Sequence, residues 1–238
     1  MEDVLGFKYG IVGFAGVKGQ RTVDGACLRL QQFFPNYIFN DVSIEGKAVT
    51  LLDIQTILDG ITLGGSRVSD EVEVRNLKDS LDLLIGLVKS KKFRLDKMTF
   101  CKLHEVAAQE EALVWGKFRT SGVSIAGTGF KPPASEKLAD KFANGIEYIK
   151  DIKNPLERGV VFFLFGALNQ YFFDANKRVS RLMMNGVLMS SGFDAIMIPA
   201  KDKQEFNLEM LKFYNTKNAD SVMRFMLKCY NLNSANLS

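Results

Sequence analysis

The chain has 238 residues, 47% hydrophobic and 24% charged, with a formal net charge of +4. These are the proportions of an ordinary globular protein with enough chain for a sizeable core, and they exclude a disordered or low-complexity polymer. The mild positive charge suits anionic ligands such as nucleotides and does not call for nucleic acid. Cys27, Cys101 and Cys229 are odd in number and widely spaced. They predict reduced thiols in a cytoplasmic protein, not a disulfide framework or a zinc site. No apolar run approaches about 18 residues, so no membrane span is expected. The first residues also lack the basic and apolar segments of a signal peptide.

Residues 1–24 carry Gly6, Gly10, Gly13, Gly16 and Gly19 among small apolar residues, which predicts a loose structural segment: a poor helix, a hairpin or an irregular arm. The arm lacks the Gly-Lys-Ser/Thr of a phosphate-binding loop. Residues 25–38 read as one helix with Leu28, Leu30, Phe33 and Phe34 apolar and Pro35 near its end. Ser43-Ile44-Glu45-Gly46 reads as the close of a short helix with Gly46 as its C-terminal cap. A further helix over 53–58 follows, with Thr50 as its cap. By itself Glu45 reads as a surface carboxylate near a turn.

Leu77, Leu81, Leu84 and Val88 recur at helical spacing within 72–89. Another helix is expected over 96–115, with Phe100, Leu103, Ala107 and Val114 on one face. It contains His104, the only histidine. With no second histidine and no nearby cysteine, His104 reads as structural or capping. Residues 116–133 combine alternating Val123 and Ile125 with Gly127, Gly129 and Pro132-Pro133, which predicts a short β-hairpin, with an ordinary connecting loop as the alternative. An amphipathic helix over 134–150 comes next. Asn154-Pro155 then restarts the chain into the apolar run 160–168. One or two helices fill 205–230, and 231–238 reads as a polar tail.

Gln170–Arg181 organises the rest: Gln-Tyr-Phe-Phe-Asp-Ala-Asn-Lys-Arg-Val-Ser-Arg. It lies between two apolar runs, 160–168 and 182–189. A helix–loop–helix of this kind makes a phosphate site, with free backbone N–H groups and the positive helix end facing an anion. Lys177, Arg178 and Arg181 add cationic charge. Asp174 beside a phosphate calls for a bridging Mg²⁺.

This stretch resembles the signature of the Fic (Fido) family, His-x-Phe-x-(Asp/Glu)-(Ala/Gly)-Asn-(Gly/Lys)-Arg followed by a second Arg. Phe172, Asp174, Ala175, Asn176, Lys177, Arg178 and Arg181 match, and Gln170 stands in place of the His. Upstream, Glu45-Gly46 and Thr50-Leu51 resemble the family's inhibitory motif, with Asp41 where the family has Ser or Thr. Leu103-His104 and the stretch from Gly116 and Arg119 to Pro132-Pro133 also fit, the latter as a target-docking flap with Val123, Ser124 and Ile125.

The resemblance implies a mainly α fold with a small hairpin flap. It divides the chain into an N-terminal extension (1–39), a Fic-like domain (40–215) and a C-terminal helix and tail (216–238). It implies transfer of AMP from ATP to a hydroxyl of a target protein not identified by sequence. Asp174 would hold Mg²⁺, Ala175–Arg178 would cradle the phosphates, and Asn176 would place the α-phosphate. Arg181 would meet either the γ-phosphate or Glu45. A carboxamide at 170 has no useful basicity, so the family's general base is missing. Two readings follow: an adenylyltransferase restrained by Glu45 and impaired at Gln170, or an inactive nucleotide-binding interaction module. Self-association fits both, since the Glu45 segment can act on its own chain or on a neighbouring copy.

Overall fold

The computed structural model describes residues 2–10, 12–62 and 68–235. The fold is mainly α. Helices α1 (Glu2–Leu5), α2 (Val23–Gln32), α3 (Phe34–Ile44) and α4 (Leu51–Leu58) lead to the long α5 (Val68–Lys89) and α6 (Lys97–Ala107). Then come α7 (Leu138–Asp151), α8 (Pro155–Asn169), α9 (Asn176–Met189), α10 (Lys203–Thr216) and α11 (Asp220–Ala235).

At the centre lies the α8–α9 hairpin. From Val160 to Leu168 every residue of α8 is buried, which is why its sequence is apolar all round. Its start is set by Pro155 in the first turn and by Asn154, whose Oδ1 accepts from the N–H groups of Leu156 and Glu157. The two helices approach closely because Gly166 faces Ser180. A Cβ at Gly166 would lie 2.1 Å from Ser180 Oγ. Around the hairpin's turn, Phe100, Phe118, Phe142, Phe162, Tyr171 and Phe172 form a set of edge-to-face and stacked rings.

Several expectations are revised. The helix predicted over 25–38 is two helices that break at Phe33. Pro35 belongs to the first turn of α3, where its missing N–H costs nothing. The helix predicted over 96–115 stops at Ala107. Asn76 Nδ2 donates to the carbonyl of Gln109 and to the carboxylate of Glu111, holding 108–116 in turns. Trp115 and Val114 are partly exposed there, off any common helical face.

Residues 117–134 are an irregular extended loop with a turn at Ala126-Gly127. Among the described residues no strand pairing supports the expected hairpin. The polar tail is helical through residue 235, because Asn233 is buried with its Nδ2 on the carbonyl of Met197. The glycine-rich arm is anchored too. Lys8 exchanges backbone bonds with Lys217 and Ala219, and Leu5, Phe7 and Phe14 join the core. Among the described residues no helix is long and apolar enough to cross a membrane.

Candidate functional site

The loop between α8 and α9 is bounded by two non-glycine residues in the left-handed region, Gln170 (φ 49°) and Ala175 (φ 55°). Each costs about 1–3 kcal/mol, so the surroundings must enforce them. Asn176 does part of this. Its Oδ1 accepts from Phe172 N–H at 2.9 Å, and its Nδ2 donates to Phe172 O at 2.8 Å and to Gln170 Oε1 at 3.0 Å. Arg119 does the rest. It donates to the backbone carbonyls of Gln170, Ser121 and Pro133, tying the loop 117–134 to the carbonyl end of α8.

His104 is buried, stacked on Phe172 with centroids 3.7 Å apart. Its Nδ1 accepts from Gly116 N–H at 3.0 Å, so Nε2 carries the proton toward Asp174 O at 3.2 Å. Burial pushes its pKa down to about 4, and the ring is neutral. The structural role read from sequence holds.

A cavity of about 300 Å³ opens on this loop, lined by Glu45, Ser124, Gln170, Asp174, Asn176 and Lys177 among others. A neighbouring cavity of about 520 Å³ shares Ser124, Gln170, Asp174 and Lys177, and is walled by Ile125, Met210, Leu211 and Tyr214. Val123 is half-buried beside them. Gln170 offers no base: its Nε2 donates to Ala167 O at 2.7 Å, and its Oε1 is occupied by Asn176. Asp174 is exposed, with Oδ1 accepting from Ala175 N–H at 2.6 Å and its second oxygen free for a cation. Among the described residues no group of three His, Cys, Asp or Glu side chains could hold a metal ion. Asp174 therefore fits Mg²⁺ only in company with phosphate oxygens, which is how Mg²⁺ is usually held.

The cations behind the cavity are all paired. Glu45 bridges Lys177 (3.1 Å) and Arg181 (3.0 Å). Burial alone would raise the Glu45 pKa, but Arg181, Lys177 and Arg178 overrule it and hold it at about 2. Arg181 also binds Asp41 at 2.7 Å. Arg178 reaches Glu73 at 2.6 Å, Glu111 at 3.0 Å and Ala107 O at 2.8 Å. Burial keeps the Glu73 pKa above its ordinary value despite that arginine. Lys47, two residues past Glu45, closes the network on Glu73 and Asp70. Each signature arginine is thus held by two carboxylates.

α3 and α9 meet through a ladder of pairs: Tyr37–Asn185, Asp41–Arg181 and Glu45–Lys177. Four residues separate successive rungs on each helix, one turn in opposite directions. Sequence reading singled out Glu45 but treated Asp41 only as a departure. Its place one turn before Glu45 is a signal that was available. Glu73 and Glu111 carry no comparable signal.

Residues 94–188 match the model of the Fic/DOC family. The chain is 25% identical over 177 residues to protein adenylyltransferase fic-1 of Caenorhabditis briggsae, covering 71% of this chain and 34% of the relative. It is 24% identical over 213 residues to protein adenylyltransferase Fic of Nematostella vectensis, covering 84% and 48%. The solved structure of Fic-1 (aa134–508) from C. elegans superposes with a TM-score of 0.79 at 19% identity, covering 94% of this chain and 67% of that one. The chain spans between about a third and a half of the curated relatives' length.

Proposed function

We propose that this chain binds a nucleotide in the two joined cavities and acts as a Fic-type protein adenylyltransferase, restrained by Glu45 and slowed at Gln170. The observation that carries this is the seat of Glu45: a carboxylate lining the cavity and bridging Lys177 and Arg181, where an anion would otherwise sit. The phosphates would lie along the start of α9, and the nucleoside against Ile125, Met210 and Leu211. Asp174 would hold Mg²⁺ with the phosphate oxygens, and the ion would offset phosphate charge. Asn176 keeps the loop in shape, and Lys177 supplies charge at the mouth.

In the transfer, a target hydroxyl oxygen bonds to the α-phosphorus, the bond to pyrophosphate breaks, and the hydroxyl proton must leave. Gln170 cannot take that proton, and losing a general base costs about 10²–10⁴ in rate. A second reading, a nucleotide-responsive module without turnover, is favoured by the Gln170 carboxamide being hydrogen-bonded at both ends. In either case the partner is a protein presented at the loop 117–134, and the three free cysteines suit the cytoplasm.

Transfer of α-labelled ATP onto protein by Glu45→Gly and by Glu45→Gly/Gln170→His tests both readings. Label in both variants, slower in the first, supports the enzyme. Label in the double variant alone supports the binding module. Absence of both label and nucleotide binding in either variant overturns the proposal.

A further inference from the structure

The two carboxylates on Arg181 are not equivalent. Glu45 is the residue that closes α3, followed by Gly46 at φ 96°, and its side chain is 20% exposed at the cavity. A small backbone change there withdraws it. Asp41 lies inside α3, its side chain 7% exposed, one turn away from the rung at which Tyr37 meets Asn185. It cannot leave Arg181 unless α3 lifts off α9. Arg181 itself is 2% exposed and contributes nothing to the cavity walls while Glu45 is in place. Its Nη1 is buried without a hydrogen-bond partner. Withdrawing Glu45 therefore exposes a guanidinium that still carries Asp41 on Nε.

We propose that Asp41 sets the ligand class of this site: by permanently neutralising Arg181, it removes the preference for a third phosphate. The inference rests on the nucleotide reading above. After Glu45 departs, Nη1 and Nη2 of Arg181 can donate hydrogen bonds, but the pair Asp41–Arg181 has no net charge to set against a terminal phosphate. Lys177 is the remaining cation at the cavity mouth, because Arg178 is already held by Glu73 and Glu111. A nucleoside diphosphate and a triphosphate then bind nearly alike. With a neutral residue at 41, Arg181 would carry a full unshared charge, and the triphosphate would gain.

The test is calorimetric titration of Mg–ADP and Mg–ATP into the whole chain as wild type, Glu45→Gly and Glu45→Gly/Asp41→Asn. Asparagine keeps the shape and can still accept from Nε. Thermal unfolding with saturating Mg–ADP reports that each variant is folded. The expected result is an ATP-to-ADP affinity ratio within about threefold for Glu45→Gly, rising to about tenfold or more with Asp41→Asn, the size of one good charge interaction. The Glu45→Gly ratio stands alone if the double variant fails to fold. A tenfold ATP preference in Glu45→Gly overturns the proposal and leaves nucleotide binding intact. So does a fall in ATP affinity with Asp41→Asn, which would make Asp41 a splint that aims the arginine. No binding of either nucleotide by any variant overturns the nucleotide reading and this inference together.

Discussion

Glu45→Gln removes one charge from the α3–α9 ladder and leaves its shape in place. The structure holds Glu45 at about 2 against an ordinary 4.5. At about 1.36 kcal/mol for each tenfold change in proton affinity, the ionised carboxylate contributes about 3 kcal/mol to folding. Because the folded value lies below the unfolded one, this contribution is complete above about pH 4.5. It fades as pH falls toward 2. Near pH 3.5 about 1.4 kcal/mol of it has gone. Urea unfolding of wild type and Glu45→Gln at pH 7, 5 and 3.5 isolates the effect as a difference, since every other titrating group is common to both. The difference should be about 3 kcal/mol at the two higher pH values and about 2 kcal/mol at the lowest. A difference that does not change with pH would refute the pairing of Glu45 with Lys177 and Arg181.

His104 is neutral in the fold with its pKa pushed down to about 4, so the unfolded chain gains a proton that the folded one does not. Stability should therefore fall as pH drops from about 6.5 to 4, and His104→Gln should flatten that limb in a denaturant series. Arg119→Ala should leave three backbone carbonyls unpaired, lower stability by about 3 kcal/mol and open 120–133 to limited proteolysis. Protection equal to wild type would count against the anchoring role. Gly166→Ala would press a Cβ to within 2.1 Å of Ser180 Oγ and should cost about 1–3 kcal/mol, seen as a drop of several degrees in Tm. An unchanged Tm would mean that α8 and α9 are not packed this closely.

Much of the fold is legible in the sequence because it is set locally. Asn154-Pro155 starts α8, Thr50 and Asp53 form the capping box of α4, and Gly46 at positive φ follows α3. Each depends on residues a few positions apart. The run from Gln170 to Arg181 likewise marks the turn between α8 and α9, because a helix–loop–helix junction is itself a local structure. The end of α6 at Ala107 was not legible, since it answers to the contacts of Asn76 with Gln109 and Glu111, whereas the Phe33 break has a local mark in Pro35, which sits in the first turn of α3.

Only the tertiary structure decided which acid meets which cation. Asp41 and Arg181 are 140 residues apart, Glu73 and Arg178 are 105 apart, and Glu111 and Arg178 are 67 apart. Helical periodicity assigns a face to each side chain but does not say which other face will cover it. Residues 117–134 show the same division. Alternation at Val123 and Ile125 predicts extended chain, but a strand exists only where another segment pairs its N–H and C=O groups, and here Arg119 takes the loop's carbonyls instead. In sequence Arg178 reads as a phosphate ligand and Arg181 as a partner of either the γ-phosphate or Glu45. The fold buries both, and a buried guanidinium must find its counter-charge within the protein.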